Sequence, residues 1–143
     1  MGSDRAPEPA FDLERVVCRL TQLERHGVCA FTIGAGDWPL KGFVVRVGAG
    51  VHGYVNRCPH AGHPLNLLPE RFLTPDGELI LCSSHGALFE KSSGYCVAGP
   101  CAGRSLTPVA LEIRWGFVLL ADSVDVPALA QAPEAAPLVE GDP

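Results

Sequence analysis

The 143-residue chain contains no run of about 18 apolar residues, so no segment reads as a membrane span. Its opening stretch, Met1 to Ala10, is polar and proline-bearing and lacks the apolar centre of a secretory leader. A cytoplasmic protein is expected. Basic excess is missing too: eleven Lys and Arg face 16 Asp and Glu, a formal charge of −5. Nucleic-acid binding calls for a basic patch, so that class is set aside. No internal repeat is apparent. From Ala121 onward there is no Lys or Arg at all, but five acids: Asp122, Asp125, Glu134, Glu140 and Asp142. The whole net charge therefore belongs to this stretch, and residues 1–120 are neutral. Pro127, Pro133, Pro137 and Pro143 stand there among many alanines, a pattern that suits neither a strand nor a packed helix beyond about Val126. Residues 121–143 are expected to form a mobile acidic tail, and residues 1–13 a flexible N-terminus.

The composition between those ends is globular, with 47% hydrophobic and 19% charged residues over the whole chain. Short apolar, β-rich runs are cut by Gly and Pro: Val16 to Leu20, Val28 to Ile33, Gly42 to Val47, Val51 to Val55, Glu78 to Leu81, Ala87 to Glu90, Ala110 to Arg114 and Phe117 to Leu120. Gly48-Ala49-Gly50 and Trp115-Gly116 read as hairpin turns. This spacing predicts an all-β domain, an antiparallel sandwich or small barrel. Phe11, Leu13, Val16, Val17, Leu20 and Leu23 would also suit one face of a helix stopping at Gly27. The Val16-Val17-Cys18 run favours a strand over Arg15 to Leu20, then one helical turn near Thr21 to Arg25.

The chemistry is concentrated in two short segments, Cys58-Pro59-His60 and Cys82-Ser83-Ser84-His85, with 21 residues between them. Each supplies one thiol and one imidazole. A zinc site also uses two Cys and two His, but its usual spacing separates a Cys pair from a His pair, whereas here the order is interleaved. Core packing is a poor account of all four, because these are polar turn sequences without apolar periodicity. A Rieske-type [2Fe–2S] cluster needs two thiolates on one iron and two imidazoles on the other. Two loops that each give one Cys and one His meet that demand.

On these residues the chain resembles the Rieske iron–sulfur family over about residues 14 to 120. Cys58-Pro59-His60-Ala61-Gly62 is similar to the family's first ligand loop, Cys82-Ser83-Ser84-His85-Gly86 to its second, and Gly99-Pro100 to a third loop that covers the cluster. The resemblance implies one [2Fe–2S] cluster bound by Cys58, His60, Cys82 and His85. It also implies a base of antiparallel strands bearing a smaller cluster-binding lobe at about residues 57 to 102. Respiratory members carry a further Cys in each ligand loop, joined as a disulfide. His63 and Ser84 stand at those positions, which suits a reducing compartment. Ala87 and Phe89 replace a serine and a tyrosine whose hydroxyls bond to the cluster in that branch, so the resemblance is to low-potential, ferredoxin-like members.

Of the other cysteines, Cys18 and Cys29 are expected to pack in strands, and Cys96 and Cys101 to be structural, with Cys101 near the cluster lobe. His63 is read as packing or capping its loop; His26, in a turn, and His52, in a strand, are given no chemistry. Oxygenase members need a second iron held by two His and a carboxylate. No histidine follows Pro100, so an oxygenase acting on its own is not expected. The expected function is a soluble, monomeric one-electron carrier between a reductase and a terminal acceptor such as an oxygenase, with no catalytic residues. The alternatives are a small Rieske subunit of a larger reductase, resembling those of nitrite reductases, an iron- or redox-sensing interaction module, and a zinc-stabilised one. The tip beside the ligands holds Arg57 but no acid from Asn56 to Pro69, so docking there is expected to be mostly apolar.

Overall fold

The computed structural model describes residues 13–34, 39–59, 64–66, 71–83 and 86–131. A 3-10 turn, Leu13–Arg15, leads into β1 (Val16–Arg19), α1 (Leu20–His26), β2 (Val28–Ile33), β3 (Leu40–Val47) and β4 (Gly50–Val55). After these come β5 (Leu79–Leu81), β6 (Leu88–Glu90), β7 (Cys96–Ala98), β8 (Pro108–Val109), β9 (Leu111–Arg114), β10 (Phe117–Leu120) and α2 (Val126–Gln131). The strands form three antiparallel sheets in the orders β1-β10-β9, β2-β3-β4-β8 and β5-β6-β7.

Strand β3 sets the arrangement, because successive side chains on a strand point to opposite faces. Phe43 and Val45 join one buried cluster with Val28, Tyr54, Phe72, Ile80 and Phe89. Leu40 and Val44 join another with Val17, Cys18, Leu23, Cys29, Phe31, Val55, Val118 and Leu120. The second sheet therefore lies between the other two and is buried on both faces, which is why β3 reads as a nearly continuous apolar run. Phe43 stacks on Phe72 with ring centroids 4.4 Å apart, coupling this sheet directly to the lobe that carries the conspicuous cysteines. Tyr54 lies 5.9 Å from Phe43 and donates its hydroxyl to the Lys91 carbonyl at 2.8 Å, a second link between base and lobe.

The all-β expectation, with a strand base and a smaller lobe, is met. The strand–helix reading at the start holds as well: α1 follows β1 directly and ends at Gly27, whose φ of 80° and N–H to the Leu23 carbonyl close the helix. Trp115 and Gly116, both at positive φ (55° and 80°), make the two-residue turn that matches the twist of the β9–β10 hairpin.

The acidic stretch needs correction. A packed helix, α2, occupies Val126–Gln131 where none was expected. Asp125 caps it by accepting from the Ala128 N–H at 3.1 Å. Pro127 is tolerated because it falls in the first turn, where its missing N–H has no helical partner to lose. Val124 and Ala130 are buried against the base, and two arginines hold the segment. Arg15 donates to the Ala121 and Val124 carbonyls at 2.8 and 2.7 Å, and Arg57 to Ala130 at 2.9 Å. Arg57 thus reaches toward α2. Residues 132–143 and 1–12 lie outside the described residues.

Candidate metal centre

The first cysteine-bearing loop leaves β4 at Val55. Asn56 shapes it: its Oδ1 accepts from the Leu65 N–H at 2.8 Å, and its Nδ2 donates to Asn66 at 2.9 Å. Cys58 lies inside that closure and is buried. The second loop leaves β5. The Leu81 N–H donates to Phe72, the Cys82 N–H to Ala87 and the Gly86 N–H to Cys82, which makes a tight turn around a buried Cys82. The Ser83 N–H donates to the Leu65 carbonyl at 2.8 Å, so the two loops are tied to each other by main-chain bonding.

A third loop, between β7 and residue 104, is seated on the second. Gly99 has φ 98°, and a Cβ there would lie 2.6 Å from the Ala87 Cα, so only glycine fits this approach. Arg104 donates to the Pro59 carbonyl at 3.1 Å, clamping the third loop to the first. Beneath the Gly99-Pro100 turn, Cys101 is buried with its Sγ 3.3 Å from that of Cys96. Burial pushes the Cys101 thiol up to about 12, reinforced by its hydrogen bond to Cys96 and by the neighbouring Cys58. Cys58, Cys82, Cys96 and Cys101 all belong to one buried cluster with Leu65, Phe72, Ala87 and Phe89.

The structure thus places Cys58 and Cys82 in one core on two joined loops. His60, His63, Ser84 and His85 lie outside the described residues. Among the described residues no group of three or more His, Cys, Asp and Glu is placed to hold a metal, so the two thiols form only half of a donor set. Cys18 and Cys29 are buried in β1 and β2, as expected of packing residues. His52 lies in β4, and His26 closes α1 rather than standing in a turn. Sequence reasoning missed Asn56, Arg104 and the Cys96–Cys101 contact. Arg104 acts on a main-chain carbonyl, and Asn56 on the Leu65 N–H and the Asn66 side chain, contacts that no sequence motif announces. The two cysteines flanking Gly99-Pro100 were a signal, but only the structure shows that their sulfurs meet.

A family model described as the Rieske [2Fe-2S] domain matches residues 14–129. The chain belongs to the Rieske [2Fe-2S] family. Similar solved structures include the complex of reduced oxygenase and oxidized ferredoxin in carbazole 1,9a-dioxygenase, at 25% identity and TM-score 0.58, covering 74% of this chain and 99% of that one. The Sphingomonas yanoikuyae B1 ferredoxin matches at 23% identity and TM-score 0.56, over 74% and 94% of the two chains. The ferredoxin of carbazole 1,9a-dioxygenase from Nocardioides aromaticivorans IC177 matches at 24% and 0.57, over 80% and 98%. No curated protein matches the chain. A Rieske domain implies one [2Fe–2S] cluster, and the residues present fit it. Two buried cysteines, shielded from water on loops already bonded to each other, are what a thiolate-ligated iron requires.

Proposed function

We propose that this Rieske protein is a one-electron carrier of an oxygenase system, taking electrons from a reductase and passing them to a terminal oxygenase. Cys58 and Cys82 are assigned to one iron, and His60 and His85 to the other. The observation that carries this reading is the pair of buried thiols on two loops joined by the Ser83–Leu65 bond. The extent of the likeness supports the carrier role. Matches run over 94% and 98% of two ferredoxin chains and over 99% of the chain matched in the oxygenase–ferredoxin complex.

When bound, the cluster supplies a couple between two states one electron apart. The chain's own residues do the rest. Asn56 and the Ser83–Leu65 bond fix the two loops, the Gly99-Pro100 turn covers the second, and Phe72 and Phe89 keep water from the cysteine side. Ala87 and Phe89 offer no hydroxyl, and both are buried. Hydrogen bonds to sulfur favour the reduced, more negative cluster, so their lack supports a potential near the bottom of the Rieske range, roughly −150 mV rather than +300 mV.

Iron and sulfide analysis, electron paramagnetic resonance and voltammetry test the reading together. Two irons per chain, a reversible one-electron wave at strongly negative potential and loss of the cluster in Cys58→Ala are expected. A Cys58→Ala protein with full iron and sulfide would overturn the ligand assignment. A strongly positive wild-type potential would overturn the low-potential one, and the lack of any reversible wave would overturn the carrier role itself.

A further inference from the structure

The Cys96–Cys101 contact has no part in cluster ligation as assigned above. The two sulfurs are 3.3 Å apart, with Cys101 donating to Cys96 and Cys96 donating to the Ala98 carbonyl at 3.1 Å. Their backbones are held on adjacent segments. The Cys96 N–H donates to Arg104, the Gly103 N–H to Cys96 and the Arg104 N–H to Cys101, so the loop folds back on β7 and returns the second cysteine to the first. A disulfide needs the sulfurs at about 2.05 Å, a closure of roughly 1.2 Å from this contact. Gly99, Pro100, Ala102 and Gly103 around Cys101 are all exposed. Both cysteines are themselves buried beneath this exposed backbone, so an oxidant enters only as the turn moves.

We propose that Cys96 and Cys101 are a reversible disulfide site beneath the Gly99-Pro100 turn, closed by a peroxide or a small disulfide while Cys58 and Cys82 remain committed to the cluster. With a small disulfide, each protein thiol gives up its hydrogen, the new S–S bond forms, and the oxidant's S–S bond breaks to two thiols. With hydrogen peroxide, the same two electrons and two protons leave as two waters. In a reducing compartment such a bond is transient, which is the behaviour of a sensor rather than a structural brace. Its effect falls on the cluster lobe. Gly99 is seated on Ala87 of the second ligand loop, so a cross-link between the turn and β7 holds that cover closed. Oxidised protein should therefore release iron to a chelator more slowly than reduced protein.

The sequence makes the test direct. Trypsin places both cysteines in one peptide, Ser92 to Arg104, whereas Cys58 falls in Cys58 to Arg71 and Cys82 in Phe72 to Lys91. Cluster-loaded protein is treated anaerobically with oxidised glutathione or diamide, alkylated, digested and weighed, while its visible spectrum is followed. The expected product is a Ser92–Arg104 peptide without alkyl groups and about 2 Da lighter than its dithiol form, restored by dithiothreitol. The spectrum should not change. Two alkyl groups on that peptide after oxidation would overturn the proposal. So would a cross-link to either of the other peptides, or bleaching of the cluster in step with the mass change. The mass reading is independent of whether the protein carries electrons, so failure here and failure of the carrier role are separable.

Discussion

Gly99 shows how a single position governs the cluster lobe. Its positive φ and the 2.6 Å approach of a virtual Cβ to the Ala87 Cα leave no room for a side chain. Gly99→Ala costs about 1–2 kcal/mol for the left-handed backbone and about 1–3 kcal/mol more for overpacking. The strain is relieved by lifting the third loop from the second. The variant is expected to fold and to bind iron, but to lose it to a chelator faster than wild type; equal release rates would mean that the seat on Ala87 does not hold the cover. At this scale the sequence was legible where a residue acts through its own chemistry. Cys58 and Cys82 stood out because each shares a short polar segment with a histidine, His60 or His85, a pairing with few uses. Arg104 did not, because its partner is the Pro59 carbonyl, and a main-chain acceptor leaves no trace in residue type.

Elements whose pattern is intrinsic were legible, and those imposed by neighbours were not. The β3–β4 hairpin and the α1 stop at Gly27 follow from periodicity and from glycine's tolerance of positive φ. Strands β7 and β8, of three and two residues, have too few positions to show alternation, and pairing to β6 and β4 alone defines them. Helix α2 was hidden by counting prolines as breakers without regard to position. Asp125, counted only as an acid, is its cap. Asp125→Ala should destabilise the protein by about 1 kcal/mol, a fall in melting temperature of about 3 °C. Cluster content should stay unchanged, since α2 packs on the base. An unaltered melting curve would mean that α2 adds nothing to stability.

At the scale of the molecule, one sheet separates two cores with different contents. The core toward β1, β9 and β10 holds neither Cys58 nor Cys82, whereas the core toward the lobe holds both. Removing iron should accordingly raise hydrogen exchange across the loops and β5 to β7 while β1 to β4 and β9 to β10 stay protected; uniform protection in both would contradict the division. Tyr54 spans that division, and burial, followed by the charge of Glu90, pushes its pKa up to about 12 from 10.0. Because the folded state holds the phenolic proton more tightly than the unfolded chain, this contribution is complete below pH 10 and is lost as pH rises toward 12. Denaturant midpoints should therefore fall more steeply over that window in wild type than in Tyr54→Phe, and parallel curves would refute the assignment. The same division sets an order of biosynthesis. A newly made chain can close its base before any iron is delivered, so whatever carries the cluster to it meets a folded scaffold with two loops waiting, not an unfolded polypeptide.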